Sequence, residues 1–183
     1  MKKPKNYDSI EVFKPFEKLE AGAHICIIKK VEEAVSKNGN PIMKYYIDTD
    51  KSDKQPNYYM ERYKNDTREN KKWGCVYTII VDDVEMNVKK LKAFNLAVKA
   101  SNNNFELDWN NYEDQLTGKK VCIVFRNEEF KDEQGAIKKA VKIYYFTTID
   151  EFKNGNIAVP KDKLLKNRSN DDLVEVSSEV MPF

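Results

Sequence analysis

The sequence contains few of the residues on which most catalytic and metal sites depend. It has one histidine, His24, and three cysteines, Cys26, Cys75 and Cys122, which form no Cys-x-x-Cys pair. Structural zinc sites need Cys or His ligands paired at short spacing, so the sequence predicts no metal site. A hydrolytic triad needs a histidine or an equivalent base beside its nucleophile. We therefore expect a protein that is not an enzyme and that needs no cofactor.

Long apolar runs and glycine-rich phosphate loops are also missing. The longest apolar stretches, such as residues 121–125, have the length of a strand and are too short to cross a membrane. The basic start, residues 1–5, is not followed by an apolar stretch of signal-peptide length. Neither the P-loop pattern nor the dinucleotide glycine fingerprint occurs. The odd number of cysteines is typical of a reducing compartment, so the sequence predicts a cytosolic protein with no membrane partner.

Charge is abundant but unevenly distributed. The 32 Lys and Arg nearly cancel the 30 Asp and Glu, which leaves a formal net charge of +2. Every Lys and Arg lies at or before Arg168, and four acids, Asp171, Asp172, Glu175 and Glu179, follow it. The body is therefore basic and the end is acidic, with too few apolar residues to pack by itself. We expect residues 156–183 to form a flexible tail.

The hydrophobic pattern predicts a mostly β domain over residues 21–155, preceded by an extended arm, residues 1–20. Alternation and β-branched or aromatic content predict five strands, at residues 24–35, 42–50, 58–63, 121–129 and 137–146. Residues 76–81 fit either a further strand or the start of a buried helix. Apolar residues at helical spacing predict the main helix over residues 84–101, and residues 148–152 a final helical turn.

Three strands, a helix and two strands follow one another in the order of an OB-fold. That fold is a single five-stranded barrel, and its one main helix lies between strands 3 and 4. Asn38-Gly39 suits the tight turn between the first two strands, and Gly135 the turn between the last two. We therefore expect a single OB-fold-like barrel.

Aromatic residues alternate with basic residues in several segments, a combination suited to single-stranded nucleic acid. Cations contact the phosphates, and flat rings stack on bases at about 1–3 kcal/mol per base. In each Tyr-Tyr pair of a strand one ring points inward, and Tyr46 is favoured as a contact because it shares a face with Lys44. For Tyr58 and Tyr59 both orientations stay open. The predicted DNA contacts are Lys44, Tyr46, Tyr58, Tyr59, Arg62, Tyr63, Arg68, Lys71, Lys72, Trp73 and Arg126.

Four segments carry distinctive motifs. They are Leu-Glu-Ala-Gly-Ala-His at residues 19–24, Ser-Lys-Asn-Gly-Asn-Pro at 36–41, Asn-Asp-Thr-Arg-Glu-Asn-Lys-Lys-Trp-Gly at 65–74, and Gly-Lys-Lys-Val at 118–121 leading to Val-Phe-Arg at 124–126. Together, over roughly residues 15–160, they resemble a family of single-stranded-DNA-binding proteins from phages and prophages of Gram-positive bacteria. The resemblance implies an OB-like fold, a role in phage DNA replication or recombination, and the cytoplasm of the infected host as location.

The last seven residues, Ser-Ser-Glu-Val-Met-Pro-Phe, are similar to the tip of bacterial single-stranded-DNA-binding proteins. A partner with an apolar pocket beside a basic residue can seat the terminal ring and its carboxylate, while the acids add attraction. Here Val180 and Met181 separate the proline from Glu179, and a tail that serves only solubility is the alternative. The predicted contacts with replication or recombination proteins are Asp171, Asp172, Glu175, Glu179, Pro182 and Phe183.

Two other functions are compatible with parts of the sequence. The barrel could be an adaptor that loads a recombinase, annealing protein or helicase, with DNA contact secondary. Asp82, Asp83 and Glu85 could hold a metal for nuclease chemistry, although acids at a helix entry more often serve its N-terminus. Self-association into a homo-oligomer is compatible with any of these functions. Sequence-independent binding of single-stranded DNA is the function that the sequence favours.

Overall fold

The computed structural model describes residues 2–9 and 17–165. The tail residues predicted to contact partners, from Asp171 to Phe183, lie outside the described residues. The elements are β1 (Gly22–Val35), β2 (Pro41–Thr49), α1 (Tyr58–Asn65), β3 (Val76–Ile80), α2 (Glu85–Ser101), a 3₁₀ turn (Trp109–Asn111), α3 (Tyr112–Leu116), β4 (Lys120–Lys131), β5 (Ile137–Thr147) and α4 (Ile149–Lys153).

The strands form one antiparallel sheet in the order β3-β2-β1-β4-β5. The central strand β1 pairs with β4 over its first half and with β2 over its second half, and the pairing with β2 shifts between Ile28 and Lys30. An extra residue of this kind bends a strand and increases its twist. Within the described chain, β3 pairs only with β2 and β5 only with β4, so the sheet is not closed.

The alternation expected in the second strand is present in its middle, but Ile42 and Asp48, on the same face as Lys44, are buried as well. Met43, Tyr45 and Ile47 are buried, whereas Lys44 and Tyr46 are half-buried on the other face. The expected main helix is also confirmed, because α2 begins within one residue of the predicted start and ends at the predicted residue. The final helical turn is present as α4, with a capping box between Thr148 and Glu151.

The core forms where α2 packs on the inner face of the sheet. Phe94 of α2 is fully buried, and its ring centroid lies 4.4 Å from that of Tyr45 and 4.9 Å from that of Phe146. Phe146 also contacts Tyr77 at 4.6 Å. These rings come from β2, β3, β5 and α2, so the helix and its aromatic neighbours hold the two outer strands together at one end.

The third predicted strand, residues 58–63, is wrong, because this segment forms the helix α1. The carboxylate of Asp48 accepts hydrogen bonds from the backbone N–H groups of Tyr59 at 2.8 Å and Met60 at 3.4 Å. This satisfies donors at the helix N-terminus that have no partner within the helix. Tyr58 and Tyr59 are buried and anchor the helix on the sheet. The third strand of the sheet is instead β3, within residues 76–81, the segment that fitted either a strand or the start of a helix.

Candidate nucleic-acid interface

An open groove with a volume of about 1340 Å³ lies between the free edges of β3 and β5. One wall comes from α1, the loop after it and β3, and the other from β4 and β5. The lining residues are Lys18, Leu19, Tyr58, Tyr59, Arg62, Asn65, Asp66, Arg68, Gly74, Cys75, Val76, Tyr77, Phe125, Phe130, Lys139, Ala140, Val141, Lys142 and Ile143. Five consecutive residues of β5 line it, together with the first two residues of β3 and the two that precede them, so the groove runs along β5 and past the start of β3.

The groove exists because the sheet ends on each side at a strand that pairs with only one neighbour in the described chain. In an antiparallel edge strand, alternate backbone N–H and C=O groups point away from the neighbouring strand. The outer edges of β3 and β5 have no strand partner in the described chain, and residues of both strands line the groove. The contact between Tyr77 and Phe146 joins the two strands on the core side. A chain that enters the groove therefore meets polar backbone as well as side chains.

Five basic side chains line the groove: Lys18, Arg62, Arg68, Lys139 and Lys142. Arg68 pairs with Asp66 at 2.6 Å, and Lys139 pairs with Asp162 at 2.8 Å. The other three form no ion pair with any residue in the described ranges 2–9 and 17–165. They stand on both walls, so the groove presents positive charge from two sides.

Asp66 holds Arg68 in a fixed geometry at the rim of the groove. Its carboxylate accepts hydrogen bonds from Arg68 Nε at 2.9 Å, from Nη2 at 2.6 Å and from the backbone N–H at 3.0 Å. These bonds lower the pKa of Asp66 to about 2. The Arg68 side chain is 79% exposed. A ligand phosphate therefore finds this guanidinium ordered but already paired.

Asp162 reaches Lys139 because the chain returns to β4 after α4. Lys163 forms a parallel bridge with Glu128, in which its N–H donates to Asn127 O and its carbonyl accepts from Glu129 N, both at 2.9 Å. The Asp162 carboxylate then accepts from Asn127 Nδ2 at 2.9 Å and from Lys139 Nζ at 2.8 Å. Both Asp66 and Asp162 thus neutralise a groove cation.

The rings of the groove differ in their exposure. Tyr58, Tyr59 and Phe125 are buried, so their rings serve mainly as core. Phe130 is 39% exposed and Tyr77 is half-buried. Exposed rings are needed for stacking on bases. Phe130 and Tyr77 therefore offer the better stacking surfaces, and neither was among the predicted contacts.

Trp73 and Gly74 shape the groove wall rather than its open surface. The Trp73 indole Nε1–H donates to the backbone carbonyl of Ile47 at 2.8 Å, which fixes the loop after α1 against β2. A Cβ on Gly74 would lie 2.8 Å from Cδ1 of Tyr59. Only glycine lets the Tyr59 ring pack this closely on the backbone. The Lys-Lys-Trp-Gly motif thus has a structural role in this wall.

Of the eleven predicted contacts, Tyr58, Tyr59, Arg62 and Arg68 line the groove, and the other seven do not. Lys44 and Tyr46 both lie near Glu32 of β1, and the Tyr46 hydroxyl donates to that carboxylate at 2.6 Å. The others outside the groove lining are Tyr63, Lys71, Lys72, Trp73 and Arg126. Four of these five residues lie in α1 or in the loop after it, and Arg126 lies on β4.

Tyr63, Trp73 and Lys71 pack on one another beside the groove. The ring centroids of Tyr63 and Trp73 are 5.6 Å apart, and Lys71 Nζ lies 4.6 Å from the Tyr63 centroid. Arg126 lies on β4, donates to Glu128 at 2.6 Å and stacks over Tyr144 at 4.3 Å. These cations already contact rings, which makes them ordered parts of the surface.

Lys18, Lys139 and Lys142 are groove cations that sequence reasoning missed. Lys139 and Lys142 lie in a predicted strand, and the basic and aromatic run at residues 142–146 was one signal for them. Their place opposite α1 depends on the fold of the whole sheet. Local pattern could therefore not assign them to the same site as Arg62.

The acids that could have served a nuclease do not form a metal site. Asp82 accepts hydrogen bonds from Val84 N at 3.0 Å and from Asn87 Nδ2 at 2.9 Å, and so orders the start of α2. No group of three or more His, Cys, Asp or Glu that could hold a metal ion occurs in residues 2–9 and 17–165. Over the same residues, no helix has the length and apolar content needed to cross a membrane.

No model of a protein family matches the sequence. A search of curated proteins also finds no match.

Proposed function

We propose that this protein binds single-stranded DNA, without catalysis and without sequence preference, in the groove between β3 and β5. The observation that carries the proposal is the placement of Arg62 on one wall and Lys142 on the other, both without an ion pair among the described residues. A polyanion between them would contact cations on two sides. Tyr77 and Phe130 would supply the stacking surfaces.

The strand order supports an OB-fold as the framework of this site. An OB barrel is a partly open five-stranded Greek key that binds oligonucleotides on the face of its second and third strands. The sheet order β3-β2-β1-β4-β5, with α2 between β3 and β4, matches the same barrel with its last seam open. The groove lies at that seam and borders β3. The nucleic acid would therefore occupy the usual side of such a barrel.

The biological setting of the proposal rests on the sequence motifs. The similarity of residues 15–160 to phage single-stranded-DNA-binding proteins favours a role in phage DNA replication or recombination in the cytoplasm of the host. The acidic tail ending in Pro182 and Phe183 would bind replication or recombination proteins. A protein of this kind protects an exposed strand and delivers it to other enzymes.

Salt-dependent binding of a fluorescent oligo-dT to two matched variants tests the proposal. Arg62→Ala combined with Lys142→Ala removes two groove cations, whereas Lys90→Ala combined with Lys92→Ala removes two exposed lysines of α2. Log affinity falls as log salt rises, and each lost phosphate contact on a single strand should reduce the steepness of that fall by about 0.7. The groove variant should bind more weakly with a flatter slope than the α2 variant. Equal binding by both variants, or no binding by the unaltered protein at low salt, would show that the proposal is wrong.

A further inference from the structure

Five exposed apolar side chains surround the end of the β1–β2 hairpin and the adjoining side of α2. We call this surface the apolar patch; its members are Val35, Val81, Val84, Val88 and Trp109. None of them lines the groove between β3 and β5. Exposed apolar residues gathered at one place mark an interaction surface more often than residues scattered singly.

Backbone contacts bring the valines together. Val35 pairs with Pro41 across the β1–β2 ladder, and the N–H of Val81 donates to the carbonyl of Pro41 at 2.9 Å. Val84 precedes α2, and Val88 follows it by one turn, with its N–H donating to Val84 O at 3.1 Å. The valines therefore occupy neighbouring positions from the end of the hairpin to the first turns of α2.

The fifth member, Trp109, belongs to the segment between α2 and β4 and is linked to α2 through Tyr112. Its ring stacks on Tyr112 with centroids 5.2 Å apart and an interplanar angle of 10°. The Tyr112 hydroxyl donates to Asn95 Oδ1 at 2.7 Å. Asn95 lies two turns after Val88 on the same side of α2. The indole is thus held by Tyr112, yet it remains 65% exposed.

The chain segment that carries Trp109 is acidic. Between Lys99 and Lys119 the chain carries four acids and no basic residue. The acids are Glu106, Asp108, Glu113 and Asp114. In the described part of the chain, Glu106 pairs with Lys99, and the other three form no ion pair. Glu113 also accepts a hydrogen bond from the backbone N–H of Glu33, which ties these acids to β1 near Val35.

We infer that the apolar patch is a docking surface for a basic amphipathic segment of a partner protein. The apolar side of that segment would cover Trp109 and Val88, and its Lys or Arg side chains would face Asp108, Glu113 and Asp114. Tryptophan is enriched among the residues that dominate binding energy, and a ring already ordered by Tyr112 loses little freedom on binding. The negative charges of Asp108, Glu113 and Asp114 favour a partner segment with positive charges. Phosphates would meet carboxylates here, and a two-fold contact between copies would oppose acid to acid.

The experiment titrates the isotope-labelled full chain with two synthetic helical peptides of about 15 residues that share one leucine pattern. One peptide carries lysine at its polar positions and the other carries glutamate. The indole N–H signals of Trp73 and Trp109 are assigned with Trp109→Phe. The lysine peptide should shift the Trp109 signal and leave that of Trp73 in place, whereas the glutamate peptide should shift neither. Trp109→Ala should weaken binding about tenfold or more.

Matched charge variants separate this docking from general attraction. Glu113→Gln combined with Asp114→Asn should weaken binding of the lysine peptide severalfold. Glu69→Gln combined with Glu133→Gln removes two exposed acids elsewhere and should leave it unchanged. Equal effects of the two pairs, binding unaffected by Trp109→Ala, or equal binding of both peptides would overturn the inference. A Trp109 shift caused by oligo-dT, or a dimer lost in Trp109→Ala, would overturn it as well, because the occupant would be DNA or a second copy.

Discussion

His24 and Asp53 form a fully enclosed pair at the start of β1. His24 Nδ1 lies 2.8 Å from Asp53 Oδ1, and both side chains are shielded from solvent. The other ring nitrogen, Nε2, lies 3.0 Å from the carbonyl oxygen of Glu20. Both ring nitrogens therefore have an oxygen within hydrogen-bond distance. Asp53 also accepts from the N–H groups of Ile25 and Gln55, so the pair joins β1 to the loop before α1.

Removing one member of this pair should destabilise the fold strongly. We expect Asp53→Ala to lower the free energy of unfolding by about 3–5 kcal/mol, because the imidazole of His24 and the backbone N–H groups of Ile25 and Gln55 lose their acceptor. Urea unfolding followed by circular dichroism measures the effect. Lys54→Ala, which removes the exposed ion pair with Glu20, is the control and should leave the midpoint nearly unchanged. A small effect of Asp53→Ala would mean that water replaces the pair.

The aspartates around this loop should make the fold sensitive to acid. Burial raises the pKa of Asp50, but hydrogen bonds from Ser52 and Lys120 outweigh it and bring the pKa to about 2. Burial also raises the pKa of Asp53, and hydrogen bonds from His24 and Gln55 bring it below the ordinary value. Both groups therefore stabilise the fold above their unfolded pKa, and this stability is lost as pH falls toward the folded pKa.

We expect the urea midpoint to fall between about pH 4 and about pH 2. Asp48 opposes this trend, because burial raises its pKa and its ionised form is the less favourable one in the fold. Asp50→Asn should reduce the loss on acidification. A midpoint in the unaltered protein that stays level down to pH 2 would contradict the low pKa values of Asp50 and Asp53.

Asp66 should limit the affinity of the groove for DNA, if DNA binds there. Asp66→Asn keeps an oxygen that can accept from the Arg68 backbone but removes the charge that neutralises the guanidinium. Oligo-dT should bind more tightly, and the salt slope should steepen by about 0.7 as Arg68 gains a phosphate contact. Asp83→Asn, which removes an exposed acid outside the groove, is the control. Equal changes in the two variants would indicate only the loss of general repulsion.

Gly74 should tolerate no side chain while Tyr59 keeps its position. A Cβ would lie 2.8 Å from Tyr59 Cδ1, so Gly74→Ala should destabilise the protein by about 1–3 kcal/mol, as overpacking does. A double-mutant cycle with Tyr59→Leu measures the coupling. The cost of Gly74→Ala should be smaller beside leucine. If Gly74→Ala destabilises the protein as much beside leucine as beside Tyr59, the strain lies in the backbone and not in the contact with the ring.

Features set by neighbouring residues could be predicted from the sequence. Alternation in β2 and helical spacing in α2 depend on residues a few positions apart, and Asn38-Gly39 lies at the predicted turn between β1 and β2. The helix α1 could not be predicted, because the N–H groups of Tyr59 and Met60 bind Asp48, which precedes them by 11 and 12 residues. Its aromatic content alone favoured a strand.

The groove could be predicted only in part, for the same reason. Arg62 was expected as a contact because it lies beside an aromatic residue, and Arg68 because it lies in the polar loop that follows. Lys139 and Lys142 face them across a seam that only the order of all five strands creates. The acids that neutralise two of these cations lie at different distances along the chain. Asp66 is two residues from Arg68, whereas Asp162 reaches Lys139 only because the β-bridge at Lys163 brings the later chain back to β4.

The open seam has a mechanical consequence. The pair β3-β2 and the pair β4-β5 are joined through β1, and no backbone ladder ties their outer edges together in the described chain. Widening the seam would break no strand pairing, but it would disturb the ring contact between Tyr77 and Phe146 and the packing of Phe94 of α2 on both rings. In the described chain the two halves are therefore held across the seam by side-chain packing and not by backbone hydrogen bonds, so the width of the groove depends on how Phe94, Tyr77 and Phe146 pack.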